Sequence, residues 1–463
     1  MLLYSASHHS SDGPKALTLF LKSQGISAKS LDALHAFGIT MSYKWSHTAI
    51  DNLANSQMQE VCNIVKTRPW FMSYDNVNIP FRTYAQRLDR QDHFDSGTAA
   101  TVFVPSQSLP TPNLSFERLQ LARAAGGRAP ISIAKIFQLE RDASPHIHKR
   151  HVWHVIKFLI DTPDFDFQTY PHRDDQIFTP PPPRRLLPCG PEYVTKQYML
   201  HTRHIDESSF DGNDQLLSEW QWQLGLSDPA EQKITGTQRV IAVNGDQLTV
   251  NRLRGLIRMR AEDFNGSDRL DWLQPVFGWF HLQMTVANLL HKQYSGTAAG
   301  RGLMHAVALL SRKHLGTVQI KGPFYHHLHE LILHVAEAHF RSCWKVIAGV
   351  PSIRDLHTRT PAELLQYAEA LITQLASSNL FEDEGTKKDK ERDEVFEQTV
   401  RWNRDVLQYI ELHEAIQCGD IGWMEDLLPT LLMRFAGGGN GKYAIEVLEL
   451  LQGLHCEWPS ELW

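Results

Sequence analysis

Two aspartates stand at the ends of short apolar runs. The first run is Trp70-Phe71-Met72-Ser73-Tyr74-Asp75-Asn76, and the second is Val240-Ile241-Ala242-Val243-Asn244-Gly245-Asp246-Gln247. A short apolar run bounded by turn residues reads as a buried strand. A carboxylate at its tip lies at a sheet edge, where side chains from several strands converge. Two such carboxylates suit a hard divalent cation, Mg²⁺ or Mn²⁺, which prefers oxygen ligands. That pairing is the chemical basis of metal-dependent phosphoryl transfer on nucleic acid. Glu446, in an apolar helix near the end of the sequence, is the candidate third acid, and Glu449 is its substitute by helical spacing. The competing reading is that each acid merely ends a strand or faces solvent.

Directly after Asp246 comes a basic helical run containing Arg252, Arg254, Arg258 and Arg260. A phosphate backbone beside metal ions needs such cations, so these four are candidate DNA contacts. The plainer reading is an amphipathic helix with a solvated basic face. His281 follows Phe280 and opens a helix. There it serves either as a polar group beside the acids or as a capping or core histidine.

The elements that must position these residues follow from composition and periodicity. A chain of 463 residues has length for two to four domains, and 42% hydrophobic with 21% charged residues is ordinary for a globular protein. No apolar run reaches the ~18 residues of a membrane span, so no membrane partner is expected. The start, Met1-Leu2-Leu3-Tyr4-Ser5, lacks the basic and apolar regions of a secretory signal. Five scattered cysteines without a C-x-x-C pair argue for a reducing compartment and against a cysteine zinc site. An intracellular protein, nuclear or cytoplasmic, is expected. The net charge of −6 means that any DNA contact comes from local patches, because a freestanding nucleic-acid binder is usually basic overall.

Residues 1–69 read as an N-terminal helical segment punctuated by Gly25 and Gly38, either a packing bundle or a helix-turn-helix. Residues 70–106 carry two strands, 70–79 and 99–104, joined by a polar connection from Arg87 to Asp95. Residues 107–195 read as an irregular insertion with a helical stretch at 151–160 and a stiff proline connector, Pro180 to Pro183. Residues 196–290 supply the second part of the core, with the strand 238–243. Residues 291–435 are helical almost throughout, broken by a charged loop from Glu382 to Lys390. Residues 436–463 form a C-terminal helix returning to the core after the Gly437–Gly441 turn. Its face of Ile445, Leu448 and Leu451 is expected to dock on the sheet.

This order of elements resembles the ribonuclease-H-like fold of DDE transposases, closest to those with a large helical insertion between the second Asp and the Glu, as in hAT-type enzymes. Ser73-Tyr74-Asp75-Asn76-Val77-Asn78, Gly245-Asp246-Gln247-Leu248-Thr249, Gly278-Trp279-Phe280-His281 and Tyr443-Ala444-Ile445-Glu446 also look like an uncharacterised, many-copy, transposon-derived family of fungal proteins. The resemblance implies an α/β fold: a ribonuclease-H-like mixed sheet core, a large all-α insertion and an N-terminal helical segment. It implies Mg²⁺ or Mn²⁺ held by Asp75, Asp246 and Glu446, with His281 nearby. Phosphodiester cleavage and strand transfer on DNA, at transposon ends and with a possible homo-oligomer, is the function implied. Members of that family run beyond this chain at both ends, which implies a partial or decayed copy. The alternative is a domesticated, non-catalytic DNA- or protein-binding module, and a third is a helical scaffold.

Other motifs point elsewhere. Asp95-Ser96-Gly97-Thr98 resembles the signature of aspartic proteases, which share one proton between two aspartates. With no second copy of the motif, that remote alternative requires a homodimer. His326, His327, His329, Glu330 and His334 miss the H-E-x-x-H zinc spacing by one residue. His146, His148, His151 and His154 read as a polar patch. Gly437 to Tyr443 imitates a P-loop but lacks its first Gly and its Ser/Thr.

Overall fold

The computed structural model describes residues 11–81, 93–109, 115–298, 300–312, 325–377, 393–459 and 462. The connection expected at Arg87–Asp95 lies largely outside them, and the charged loop from Glu382 to Lys390 wholly so.

Three helices open the described chain: α1 (Asp12–Ser23), α2 (Ala28–Ala36) and α3 (Tyr43–Thr67). Ser27 and Ser42 cap α2 and α3 by accepting from the amides of Ser30 and Trp45. Gly25 and Gly38 take positive φ, 76° and 68°, just past the ends of α1 and α2, a conformation that favours glycine. The expected punctuation is therefore real.

A five-stranded sheet follows, built from β1 (Phe71–Phe81), β2 (His93–Val104), β3 (Lys196–Met199), β4 (Ile241–Gly245) and β5 (Leu273–Phe277). Its spatial order is β3-β2-β1-β4-β5. β1 pairs antiparallel with β2, and β2 antiparallel with β3. β1 pairs parallel with β4 through Phe71↔Ala242, Met72↔Val243 and Ser73↔Asn244. The runs at 70–75 and 239–244 are thus adjacent parallel strands. Alternation places Met72, Tyr74, Val102, Val104, Ile241 and Val243 in the core, with Val61, Val65, Leu217 and Trp220.

Contacts divide the chain into two units. The first is Met1–Thr111 with Pro191–Pro275, and the second is Pro112–Gly190 with Val276–Trp463. Besides the sheet, the first unit carries α6 (Phe210–Gln223), α7 (Pro229–Gln238) and α8 (Gln247–Met259). The second unit is helical. Its elements are α4 (Phe116–Arg128), α5 (Ile133–Ile160), α9 (Trp279–Tyr294), α10 (Leu303–Arg312), α11 (Tyr325–Ala348), α12 (Pro361–Leu375), α13 (Glu394–Cys418), α14 (Ile421–Gly437) and α15 (Gly441–Gln452).

One expectation fails plainly. Residues 116–160 are not an irregular stretch with helix only at 151–160, because α4 and α5 fill most of them. α5 runs through Pro145 and is studded with charges and histidines, which hides its apolar stripe of Val152, Val155, Ile156 and Leu159. That stripe is buried among α11, α12, α13 and α14. The described parts of 116–190 and 291–435 therefore belong to one helical body. The block from Pro180 to Pro183 lies at the surface without regular structure, as its composition predicts.

Candidate functional site: acids beside β1 and β4

Alternation along β1 sends Met72 and Tyr74 into the core and leaves Asp75 exposed. Asp75 does not end its strand as expected, because β1 runs on to Phe81 and pairs Asp75 with Ala99; Asp246 does follow directly after β4, and both lie two residues beyond the Ser73↔Asn244 pair. Asp246 is the N-cap of α8, and its Oδ1 accepts from the Thr249 amide at 2.7 Å. A carboxylate is at home at that helix end, where backbone N–H groups and the helix dipole favour negative charge. Gly245 makes the strand-to-helix step possible: a Cβ there would meet the Thr249 side chain at 2.7 Å.

A third acid joins them that spacing and periodicity do not announce. Glu207 lies in the segment between β3 and α6 and is 3% exposed. The Asn76 amide donates both to Asp75 Oδ1, at 2.8 Å, and to Glu207 Oε1, at 3.1 Å. Burial, then the charges of Asp75 and Asp246, push the Glu207 carboxyl up to about 8, against a smaller downward pull from the Asn76 amide and the Thr249 hydroxyl. Glu207 Oε2 and Thr249 Oγ1 are both buried. Burial and the charges of Glu207 and Asp246 also raise the Tyr74 phenol well above its ordinary range.

The Glu207 backbone is held from several sides. Arg203 exchanges backbone hydrogen bonds with Thr98, at 2.7 and 3.0 Å. The Thr98 hydroxyl donates to the Ile205 carbonyl at 2.6 Å. Asn213, fully buried, donates from Nδ2 to the carbonyls of Glu207 and Ser209 and accepts from the Tyr74 hydroxyl at 2.7 Å. Gly97 leaves room for this strap, since a Cβ would sit 2.8 Å from the Arg203 carbonyl.

Asp75 and Asp246 belong to the first unit, and His281 and Glu446 to the second. His281 is the third residue of α9, so it opens a helix as expected. Glu446 is 1% exposed, on α15. The face expected to dock there is wrong. Ile445 and Leu448 are 56% and 39% exposed, while Glu446, Val447, Leu450 and Leu451 are buried. α15 packs against α14 within its own unit, and Glu449 is half-buried.

The arginine group does not act as one patch. Arg252 donates from Nε to the Ser208 carbonyl at 2.9 Å and stacks on Phe210 at 4.7 Å. Arg260 pairs with Asp214 at 2.5 Å. Both tie α8 to α6 and the strap before it. Arg254 is half-buried and Arg258 exposed.

The remaining motifs resolve without a site. Asp95-Ser96-Gly97-Thr98 is continuous strand, in register with Ile79 to Asn76. In the histidine run of α11, His334 pairs with Glu330 at 3.5 Å, and His329 Nδ1 shares a hydrogen bond with the Tyr409 hydroxyl at 2.7 Å. The Gly437–Gly441 run is the turn joining α14 to α15. Among the described residues no group of three or more His, Cys, Asp or Glu side chains could hold a metal ion, no helix is long and apolar enough to cross a membrane, and the five cysteines are free.

The chain belongs to a family of unknown function, DUF6589, whose model matches residues 126–463. That span includes Glu207, Asp246, His281 and Glu446. No curated protein and no solved structure matches the chain.

Proposed function

We propose that the sheet is a ribonuclease-H-like core and that the chain performs transposase-like, metal-dependent phosphodiester cleavage and strand transfer on DNA, acting in the nucleus or cytoplasm. The observation that carries this reading is a pair of aspartates each two residues beyond the last parallel pair, Ser73↔Asn244, with Asp75 in mid-strand on β1 and Asp246 directly after β4. An antiparallel β1–β2–β3 meander with β4 added parallel beside β1 supports the same core.

The donor set fits Mg²⁺ or Mn²⁺. Its donors are the carboxylate oxygens of Asp75 and Asp246, which hard cations select. Asp75 and Asp246 would hold the ion. Bound there, it supplies polarisation of a phosphoryl oxygen and activation of the attacking hydroxyl. The Thr249 amide fixes the orientation of Asp246. Arg258, exposed on α8, remains a candidate phosphate contact, while Arg252 and Arg260 brace the strap.

Nicking of supercoiled plasmid by the full chain in Mn²⁺ tests the reading. The expected outcome is cation-dependent nicking that falls at least a hundredfold in both Asp75→Asn and Asp246→Asn. No nicking by the wild type, or equal nicking by the variants, overturns it.

A further inference from the structure

We infer that a cavity within the helical unit, between α5, α9, α13 and α14, binds a small organic phosphate of nucleotide size. The cavity measures about 840 Å³, within the range that small-molecule sites occupy. Three cations line it, Lys292, Arg404 and Arg434, against two acids, Asp405 and Glu140. Its wall therefore carries a net charge of +1 (3 − 2), in a chain whose net charge is −6. Ile147, Leu289 and Met433 add apolar surface. Such a wall suits a molecule with an anionic head and a ring or carbon skeleton behind it.

The positive charge is built into the packing. Asp405, 1% exposed, accepts on Oδ1 from Arg404 Nε at 2.7 Å and from Arg434 Nη2 at 2.6 Å. Its Oδ2 accepts from the Tyr294 hydroxyl at 2.7 Å. One carboxylate thus answers two guanidinium groups, and both of its oxygens are engaged. The Arg434 side chain is 9% exposed and also donates from Nη2 to the Gln408 side chain. Its Nε is buried and has no hydrogen-bond partner among the described residues. An unmatched donor on a buried cation is costly. A phosphate oxygen supplies the acceptor that Nε lacks, and the anion supplies the charge that a single carboxylate cannot. Guanidinium groups match phosphate geometry, and a phosphomonoester brings close to two negative charges and three acceptor oxygens. Lys292, exposed on α9, adds a point charge for the same head group.

The test is calorimetric titration of the full chain with adenosine monophosphate, with folding checked by circular dichroism. Arg434→Lys keeps a cation beside Asp405 and removes the Nε donor. Lys292→Glu reverses a charge at an exposed position, where the fold has little to lose. The expected result is binding by the wild type and a Kd raised at least tenfold in each folded variant. No binding by the wild type, or a smaller loss in either folded variant, overturns the inference; if Arg434→Lys does not fold, Lys292→Glu alone decides. Adenosine, which lacks the phosphate, and inorganic phosphate, which lacks the skeleton, should each bind at least tenfold more weakly than the nucleotide. Equal binding of either one overturns the corresponding half of the proposed ligand. A single-stranded oligonucleotide that binds with the same dependence on Lys292 and Arg434, where the mononucleotide does not bind, assigns the phosphate to a nucleic-acid backbone and overturns the small-molecule site.

Discussion

Glu207 and Asp405 are both acids sealed from solvent, and the two units treat them in opposite ways. Asp405, on α13 in the helical unit, is 1% exposed. Burial alone would push its carboxyl up. The hydrogen bond and charge of Arg434 at 2.6 Å and the charge of Arg404 at 2.7 Å win, and hold it below its ordinary value. The Tyr294 hydroxyl adds a further hydrogen bond at 2.7 Å. Glu207 in the sheet unit is buried to nearly the same degree, but the charges acting on it are two more carboxylates, and it rises to about 8. The helical unit follows the same rule elsewhere: Glu411, fully buried, is met by Arg150 and by His154 Nε2 at 2.8 Å. Where a fold merely needs a buried charge it supplies the opposite one. Where carboxylates are gathered instead, the buried one relieves the repulsion by holding its proton.

The comparison breaks most visibly at Arg434. Arg434→Met strands Asp405 with half of its cationic support. Breaking a buried pair from one side costs about 3–5 kcal/mol, so the urea midpoint at pH 7 should drop accordingly. A loss under about 1 kcal/mol, no more than an exposed pair is worth, would mean that pairing does not sustain the buried acid.

The next effect is a pH slope. Glu207 keeps its proton in the folded chain up to about 8, whereas unfolded Glu gives it up near 4.3. The folded state then binds more protons, so the stabilisation is complete below the unfolded value and is lost as pH climbs through the window to about 8. In chelator, Glu207 should lower stability by at most about 1.4 kcal/mol per pH unit in that window. Thermal melts across pH 4.5–8 should show a slope in wild type that is reduced in Glu207→Gln. Parallel slopes in the two proteins would erase the contrast with Asp405.

The smallest effect separates capping from ligation at Asp246. Asn caps a helix about as well as Asp, while Ala costs about 1 kcal/mol. Asp246→Asn should therefore melt near wild type and Asp246→Ala measurably below it, with Mn²⁺ binding weakened in both. Equal melting of the two variants would show that the Thr249 contact does not cap α8.

What could be read from the sequence follows physical reach. The helices between 12 and 67 show through their own glycines and serine caps, which are local signals. β1 and β4 show through unbroken apolar runs, and so does the place of Asp246 directly after β4, though not the run of β1 past Asp75 to Phe81. β3 spans only Lys196–Met199 and is mostly exposed, so it carries no run to notice. α5 escapes because Pro145 and its many charges mask a buried stripe that forms only against four other helices. The α15 face was misjudged because two of its apolar residues lie outward while Glu446 lies inward, a choice made by packing against α14. Glu207 escapes for the same reason in stronger form. Its neighbourhood, His204-Ile205-Asp206-Glu207-Ser208-Ser209, reads as a polar loop. Only the long-range grips of Thr98 and Asn213 make it a buried acid.

Neither unit is a continuous stretch of chain, and this governs how the molecule can be made. After β2 the polypeptide leaves the sheet unit, supplies 112–190 to the helical unit, returns for 191–275 and leaves again. On a ribosome that synthesises from the N-terminus, β1 cannot acquire its neighbour β4 until residues 241–245 have emerged, by which time α4 and α5 are already outside and still lack α9 to α15. Two half-built cores must coexist during synthesis, each exposing apolar surface that only later sequence covers, the condition that favours chaperone engagement and misassembly. For the same reason no single cut in the chain liberates either unit intact.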